Sequence, residues 1–331
     1  MDIPVVISHR TAWLLYHAPR RQEVLASSED FGINEIGLSA RTIGERIQRL
    51  LQACGVPERE LETLDILFSM DFMRMSPEPF RAHAFGALVT ADDVHELVPG
   101  LCVVREELCF MQAATWMSRL ELIEFGYELC GRYEMLLSQK PDESQSYIEC
   151  LPRTTRDELA AYVTVHAGLR GAKRAKSALV RIRDCSRSPM ETATAMLIVL
   201  SRREGGLGYR GVQMNHRLDV PERVRAFTTS SHLEVDIYDP RSKTGIEYDG
   251  EDHAAALQRA RDAERLTVLG AMGVRVHVIT RHQFAEQLRL HRAMNAVARS
   301  LGVKLDASLE FQRRQNELRK FLIRAWPSQA C

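Results

Sequence analysis

The chain contains 331 residues, of which 45% are hydrophobic and 27% are charged. This length and composition predict a globular protein with room for two domains. No apolar stretch approaches the ~18 residues of a membrane span, and the start shows no signal-peptide pattern. The seven cysteines are scattered and include no Cys-x-x-Cys pair, which argues against a zinc site or a disulfide framework. We therefore expect a cytoplasmic protein without membrane contact.

The formal net charge of zero conceals a difference between the two halves of the chain. Residues 1–150 carry 13 Lys and Arg against 24 Asp and Glu, whereas residues 151–331 carry 31 against 20. A basic half predicts contact with a polyanion, and we expect that polyanion to be DNA. A solvated basic surface is the alternative. The acidic half predicts a protein partner, or a cover for the basic half.

The acidic half is predicted to form a mainly helical α+β domain over residues 1–140. Apolar residues at helical spacing predict helices, Ser8 is the predicted cap of the first helix, and short apolar runs predict strands. In chain order we predict a helix over Ile7–His17, a helix from Ser39 to Gly55, strands over Leu64–Phe68 and Leu97–Val104, and helices over Leu108–Met117 and Arg119–Cys130.

Residues 141–185 are predicted to hold a linker followed by two basic helices, Thr155–Ala167 and Gly171–Asp184. The second helix carries many cations beside an apolar stripe, and such cations can contact DNA phosphates. A solvated amphipathic helix is the alternative. The cations that we select from it are Lys173, Arg174, Lys176 and Arg181.

Acidic residues alternate with apolar residues in two neighbouring strand-like segments, His232–Pro240 and Thr244–Gly250. Successive strand side chains point to opposite faces. Asp236 is therefore predicted to face away from its apolar neighbours, and Glu247 and Asp249 are predicted to share a face. Asp and Glu are poor strand formers, so their presence here needs a reason. A divalent metal bound by hard oxygen ligands supplies one.

The metal that we expect is Mg²⁺ or Mn²⁺, with Asp236 and Glu247 as its ligands. Such an ion lowers the pKa of a bound water and neutralises charge that builds on a phosphate during hydrolysis. Glu191 follows Ser188 and Pro189 in the first turn of a helix predicted to run to about Arg203. It can reach the same metal directly or through water. Placement near the positive end of the helix is its alternative role.

The basic half resembles the PD-(D/E)XK nuclease superfamily over residues 186–303, because a helix, three strands, a helix and a strand follow one another with these acids in place. The string Glu247-Tyr248-Asp249-Gly250, with His253 and then Arg-Asp-x-x-Arg from Arg261, is similar to the very-short-patch-repair (Vsr) endonuclease branch. The resemblance implies a restriction-endonuclease-like α/β/α core with a central mixed sheet. It also implies Mg²⁺-dependent hydrolysis of DNA. A basic helix over residues 304–331 is predicted to follow.

Asp249 stands where the superfamily usually has lysine, a residue that the resemblance implies orients the attacking water. An aspartate cannot copy that charge, but it can serve as a further metal ligand or a base. His253 can carry a proton near neutral pH, and its alternative role is a surface or capping residue.

Nearby cations can replace the missing lysine or contact DNA. We select Lys243 and Arg261 for these roles. Arg265 is a further candidate to replace the lysine, but we favour its pairing with Asp262 or Glu264, which lie beside it on the same predicted helix.

A non-cleaving DNA-binding regulator that retains the nuclease scaffold is the alternative function, and Asp249 motivates it. The strings Ile7-Ser8-His9-Arg10-Thr11-Ala12 and Leu120 to Cys130 also resemble the body of abortive-infection AbiEi-type proteins. That resemblance implies an antitoxin-like component of a defence or toxin–antitoxin system.

Overall fold

The computed structural model of the chain describes residues 5–27, 31–33, 38–68, 79–84, 90–138, 146–250, 256–304 and 308–324, without the side chains of 256–262. These residues divide into two compact units. The first consists of 5–129 and 134–182, and the second consists of 130–133 and 183–324. Both basic helices predicted after the linker therefore belong to the first unit. No helix within the described ranges is long and apolar enough to cross a membrane.

The first unit contains a mixed five-stranded sheet. Its strands are β1 (Val5–Ile7), β2 (Leu64–Phe68), β3 (Phe80–Ala84), β4 (Val94–Val98) and β5 (Leu101–Val104), in the order β3-β2-β1-β5-β4. β1 is parallel to β5 and antiparallel to β2, and β2 is parallel to β3. The prediction of one strand over Leu97–Val104 is wrong. The chain turns at Gly100, whose φ of 83° suits glycine, so two antiparallel strands replace one.

Helices surround this sheet, and their bounds agree with most of the predicted ones. They are α1 (His9–Tyr16), α2 (Arg21–Ala26), α3 (Ala40–Cys54), α4 (Glu106–Ala113), α5 (Arg119–Leu129), α6 (Arg156–Val165) and α7 (Ala172–Leu179). Ser39 caps α3 by accepting a hydrogen bond from the Thr42 amide. Ser8, the predicted cap of α1, occupies the N-cap position, but its side chain makes no cap hydrogen bond. Strands β6 (Tyr133–Met135) and β7 (Tyr147–Glu149) form a small separate ribbon.

The second unit contains a mixed four-stranded sheet with helices. Its elements are α8 (Pro189–Val199), β8 (Gln213–Asp219), β9 (His232–Asp239), β10 (Thr244–Asp249), α9 (Ala256–Ala271), β11 (Arg275–Thr280), α10 (Arg281–Ala285), α11 (Gln287–Ser300) and α12 (Leu309–Leu322). The strand order is β11-β10-β9-β8. β8, β9 and β10 are antiparallel neighbours, and β11 returns parallel to β10 after the α9 crossover. The predicted mixed α/β class, the hairpin and the parallel last strand are thus confirmed.

Helix α8 is the buried centre of this unit, because every residue from Glu191 to Val199 is buried. A helix that is apolar around most of its circumference must be covered on all sides. Ser188 caps its start by accepting a hydrogen bond from the Glu191 amide, and Pro189 occupies the first turn, where proline costs no hydrogen bond. The helix ends at Val199, four residues before the predicted end, because Leu200 adopts an extended conformation.

The opposite side of the sheet packs through the cluster of Val235, Tyr238, Leu269 and Val274. Gly245 permits this packing, since a Cβ at that position would lie 2.9 Å from a methyl group of Val235. The sheet that carries the acidic residues is therefore fixed by close packing rather than by an open hairpin.

Candidate functional site

Strands β9 and β10 separate at a fork, and the side chain of Asp236 occupies it. The two strands pair from Thr244 opposite Asp239 to Ile246 opposite Ile237. Beyond this point β10 continues along β11, and β9 continues along β8. The amide of Tyr248 donates a hydrogen bond of 3.0 Å to Asp236 Oδ2. A carboxylate thus takes the place of a strand partner, which fixes its position on two rigid elements.

Asn215 lies on β8 between Met214, which pairs with Ile237, and His216, which pairs with Val235. Its φ of 44° lies in the left-handed region, which asparagine tolerates better than most residues. From there its side-chain amide donates to Glu191 Oε2 at 2.6 Å. Asn215 thus joins the strand beside Asp236 to the start of α8.

Glu191 is held at the first turn of α8 by several hydrogen bonds. Its Oε2 accepts the Arg187 amide at 2.9 Å, and its Oε1 accepts the Ser188 hydroxyl at 3.2 Å. Burial raises the pKa of Glu191, while these hydrogen bonds and the one from Asn215 act in the opposite direction. The carboxylate is therefore fixed in orientation, as a positioning group or a ligand must be.

The environment of Asp236 strongly disfavours its charge. Burial is the main cause, and the neighbouring carboxylates of Glu191 and Glu247 add to it, so the pKa of Asp236 rises from 3.8 to about 7. The Tyr248 amide and Arg265 act in the opposite direction. Carboxylates thus meet around the fork, and a cation placed among them would relieve their repulsion.

Arg265 on α9 is the cation that neutralises Glu247. Its Nη1 lies 2.7 Å from Glu247 Oε2, to which it donates a hydrogen bond, and 2.6 Å from Oε1. A second nitrogen of Arg265 donates to the carbonyl of Glu234. We predicted that Arg265 pairs with Asp262 or Glu264. The structure gives it Glu247 as a partner, which the prediction did not include.

A second arginine lies on the same side of the site, on the segment before α8. Arg187 Nη1 lies 2.5 Å from Glu234 Oε2 in an ion pair between two partly exposed side chains. Arg187, Arg265 and Asn215 are site residues that the sequence analysis did not select. The motif contained a signal only for Arg265, which closes the Arg-Asp-x-x-Arg string.

The remaining predicted residues of the second unit lie farther from Asp236 or outside the described residues. Asp249 is exposed at the end of β10, where it pairs with Thr280 of β11. Lys243 is exposed in the turn at the other end of the hairpin, with a φ of 50°. His253 and the side chain of Arg261 lie outside the described residues.

The four cations predicted on the basic helix all belong to the first unit. Lys173 and Lys176 are exposed. Arg174 donates to the carbonyls of Ala114 and Met117, each at 2.5 Å, so its guanidinium joins α7 to the end of α4. Arg181 donates to the Ser177 carbonyl at 2.8 Å. Arg174 is thus used within its own unit, whereas the two lysines present their charges to solvent.

The donor set at the fork consists of carboxylates. Among the residues that the structure describes, no group of three or more His, Cys, Asp or Glu is arranged to hold a metal ion. Mg²⁺ commonly binds one or two carboxylates, with waters and substrate phosphates as its other ligands. Asp236 and Glu247 supply two such hard donors. Glu247 Oε1 is buried and accepts no hydrogen bond within the described part of the chain, although it contacts Arg265.

Comparison with known proteins gives no family for this chain. No protein-family model, no curated protein and no solved structure matches it. The interpretation of the site therefore depends on the carboxylates of α8, β9 and β10 and on the cations around them.

Proposed function

We propose that the second unit hydrolyses phosphodiester bonds in DNA as a Mg²⁺-dependent endonuclease, and that its sheet and helices form a restriction-endonuclease-like core. The observation that carries this proposal is the position of Asp236 in the fork between β9 and β10. The Tyr248 amide holds Asp236 there, and Glu247 is on the adjoining strand β10. The Asn215 side chain holds the carboxylate of Glu191 by a hydrogen bond. The order of α8, three antiparallel strands, α9 and a parallel strand supports it as well, because it is the order that the nuclease resemblance implies.

Asp236 and Glu247 would hold the metal, and Glu191 would reach it directly or through water. When bound, Mg²⁺ supplies a more acidic water and neutralises charge on the phosphate. Asp236 would give up its proton as the site fills. Arg265, which pairs with Glu247, would neutralise a phosphate oxygen. Asp249, exposed at the end of β10, would accept a proton from the attacking water.

A second candidate function is DNA binding without cleavage, and the ion pair between Arg265 and Glu247 favours it. In this pair Arg265 already neutralises a carboxylate of the fork, the role that a metal ion would otherwise have. In such a protein Arg265 would replace the metal permanently, and the chain would act as a regulator or an antitoxin-like component.

Incubation of the purified full chain with supercoiled plasmid separates the two candidates. The nuclease predicts nicked or linear DNA in the presence of Mg²⁺ or Mn²⁺, and intact plasmid in the presence of EDTA. Salt-sensitive binding of the plasmid, with no product in either metal, would favour the regulator.

A further inference from the structure

The first unit contains a cavity of about 800 Å³ that plays no part in the proposed nuclease. Cavities of this size are typical of small-molecule sites. The cavity lies between β2, β3, the start of α1, the end of α4 and the turn before α7. Its polar and charged lining residues include His9, Asp65, Arg81, His83, Gln112 and Arg170.

A buried carboxylate holds one histidine of the cavity. Asp65 is almost fully buried on β2, and its Oδ1 lies 2.7 Å from His83 Nε2. Arg81 Nη1 lies 3.6 Å from the same oxygen. Because Asp65 and Arg81 are direct partners in the parallel pairing of β2 and β3, and His83 follows two residues later, the sheet itself assembles this group. Such a carboxylate fixes the orientation of an imidazole and leaves its other nitrogen for a ligand.

His9 stacks on His83 with a separation of 3.7 Å between ring centroids. It begins α1 with a φ of 47°, a left-handed conformation that costs a non-glycine residue about 1–3 kcal/mol. Burial and the neighbouring His83 lower the pKa of His9 to about 4, with Arg170 and Arg81 contributing and Asp65 acting in the opposite direction. A strained, neutral imidazole at a cavity wall indicates that the position serves a ligand rather than the stability of the unit.

Gln112 provides an unused donor at the same wall. Its side chain is 96% buried, since its relative exposure is 4%, and its Oε1 accepts the His9 amide at 2.8 Å. Its Nε2 is also buried, and within the described residues that nitrogen has no hydrogen-bond partner. A buried amide donor without an acceptor costs about 1–3 kcal/mol. An acceptor atom of a bound ligand would remove this cost.

Arg170 is brought to the cavity by a turn that only glycine permits. Gly171 has a φ of 95°, and a Cβ there would lie 2.3 Å from the Met111 carbonyl of α4. The turn therefore lies directly against α4 and presents Arg170 at the cavity. Arg170 is exposed, and no carboxylate of the described residues pairs with it. A guanidinium placed this way suits a phosphate.

We infer that this cavity binds a nucleoside monophosphate. Arg170 and Arg81 supply guanidinium groups for the phosphate, and Gln112 Nε2 supplies a buried donor. Trp116, which also lines the cavity and is 41% exposed, presents an indole on which a base can stack. The stacked imidazoles of His9 and His83 add a planar surface to the same cavity.

Calorimetric titration of the full chain tests this inference, with AMP, GMP, CMP and UMP as probes and with adenosine and ribose 5-phosphate as partial probes. At least one nucleotide is expected to bind tenfold or more tightly than either partial probe. Arg170→Ala is expected to weaken nucleotide binding tenfold or more, because it removes an exposed cation without disturbing the core. Trp116→Leu is expected to weaken nucleotide binding but not ribose 5-phosphate binding.

Two controls keep the test specific. Arg156→Ala removes an exposed arginine of the same unit that pairs with Asp157, and Asp236→Asn removes the proposed nuclease ligand in the second unit. Both are expected to bind nucleotides like the parent chain, so failure of the nuclease proposal would leave this result unchanged. Absence of binding for all four nucleotides, or equal binding by parent chain and Arg170→Ala, would overturn the inference.

Discussion

The amide of Tyr248 donates to the carboxylate of Asp236 across the fork where β9 and β10 part, at 3.0 Å. At this position the amide of β10 donates to a side chain of β9 instead of a backbone carbonyl. It also holds a carboxylate in a place where burial and two other acids disfavour its charge. In the proposed nuclease, function and stability therefore oppose each other at Asp236.

Asp236→Asn is predicted to stabilise the metal-free protein at alkaline pH. The pKa of Asp236 is raised from 3.8 to about 7 in the folded state, so the folded state holds this proton more tightly than the unfolded state. Its contribution is present below about pH 4 and is lost as the pH rises to 7. After a discount for the partial solvent exposure of Asp236, the loss in the free energy of unfolding is about 1–3 kcal/mol.

Urea denaturation in EDTA at pH 4.5 and pH 8 measures this effect. The free energy of unfolding of Asp236→Asn should exceed that of the parent chain at pH 8 and approach it at pH 4.5. Asp219→Asn, an exposed acid of β8 that pairs with Arg217, is the control and should show no such crossover. An identical pH dependence for Asp236→Asn and the parent chain would contradict the assignment of this pKa.

Arg265→Ala is predicted to destabilise the metal-free protein by about 1–3 kcal/mol, because it leaves the partly buried Glu247 without its cation. If Glu247 also binds Mg²⁺, the metal should restore part of this loss. The thermal midpoint should then rise more on addition of Mg²⁺ in Arg265→Ala than in the parent chain.

Arg225→Ala, which removes an exposed ion pair with Glu222, is the control for Arg265→Ala and should respond to Mg²⁺ like the parent chain. A Mg²⁺ response that is equal in all three proteins would indicate that Glu247 is not a ligand.

Local sequence patterns predicted the helices and strands that carry the site residues. They did not predict individual contacts between residues that are far apart in the sequence. The hairpin and the cap at Ser188 follow from alternation and from capping chemistry within a few residues. The left-handed backbone of Asn215 has no such local signal, because its reason is the hydrogen bond to Glu191 on another element. Arg265 was assigned to helical neighbours for the same reason, since no sequence spacing points from α9 to Glu247.

The prediction of one strand over Leu97–Val104 was wrong because two local sequence signals competed. The apolar run over Leu97–Val104 favours one continuous strand, but Pro99 and Gly100 within it form the turn between β4 and β5. The cavity group of the first unit was not predicted at all. His9 and His83 are 74 positions apart in the sequence, and only the pairing of β2 with β3 and the placement of α1 bring them together.

Asn215→Gly is predicted to lower plasmid cleavage about tenfold, the usual cost of losing a partner that orients a ligand. Glycine keeps the left-handed backbone and removes the amide, which binds Glu191 at 2.6 Å and the Cys185 carbonyl at 2.8 Å. Asp219→Gly makes the same change to glycine at an exposed position of the same strand, β8, and should retain activity. Equal cleavage by both variants would show that the orientation of Glu191 is unimportant.

Gly171→Ala is predicted to destabilise the first unit by more than about 2 kcal/mol, because alanine is strained at a φ of 95° and its Cβ would collide with the Met111 carbonyl. Gly168→Ala, three residues earlier in the same turn, adds a Cβ that meets no atom within 4 Å. It should be neutral. Thermal denaturation of both variants measures the difference, and similar midpoints would contradict the described turn.

Plasmid nicking by the purified chain in Mg²⁺, with Asp236→Asn and Glu247→Gln beside the parent protein and Asp219→Asn as control, tests the central claim most directly. The account predicts metal-dependent nicking by the parent chain and the control, and a loss of at least about 100-fold in the two site variants. Nicking that persists in both site variants, or that is absent from the parent chain in Mg²⁺ and Mn²⁺ alike, would contradict it.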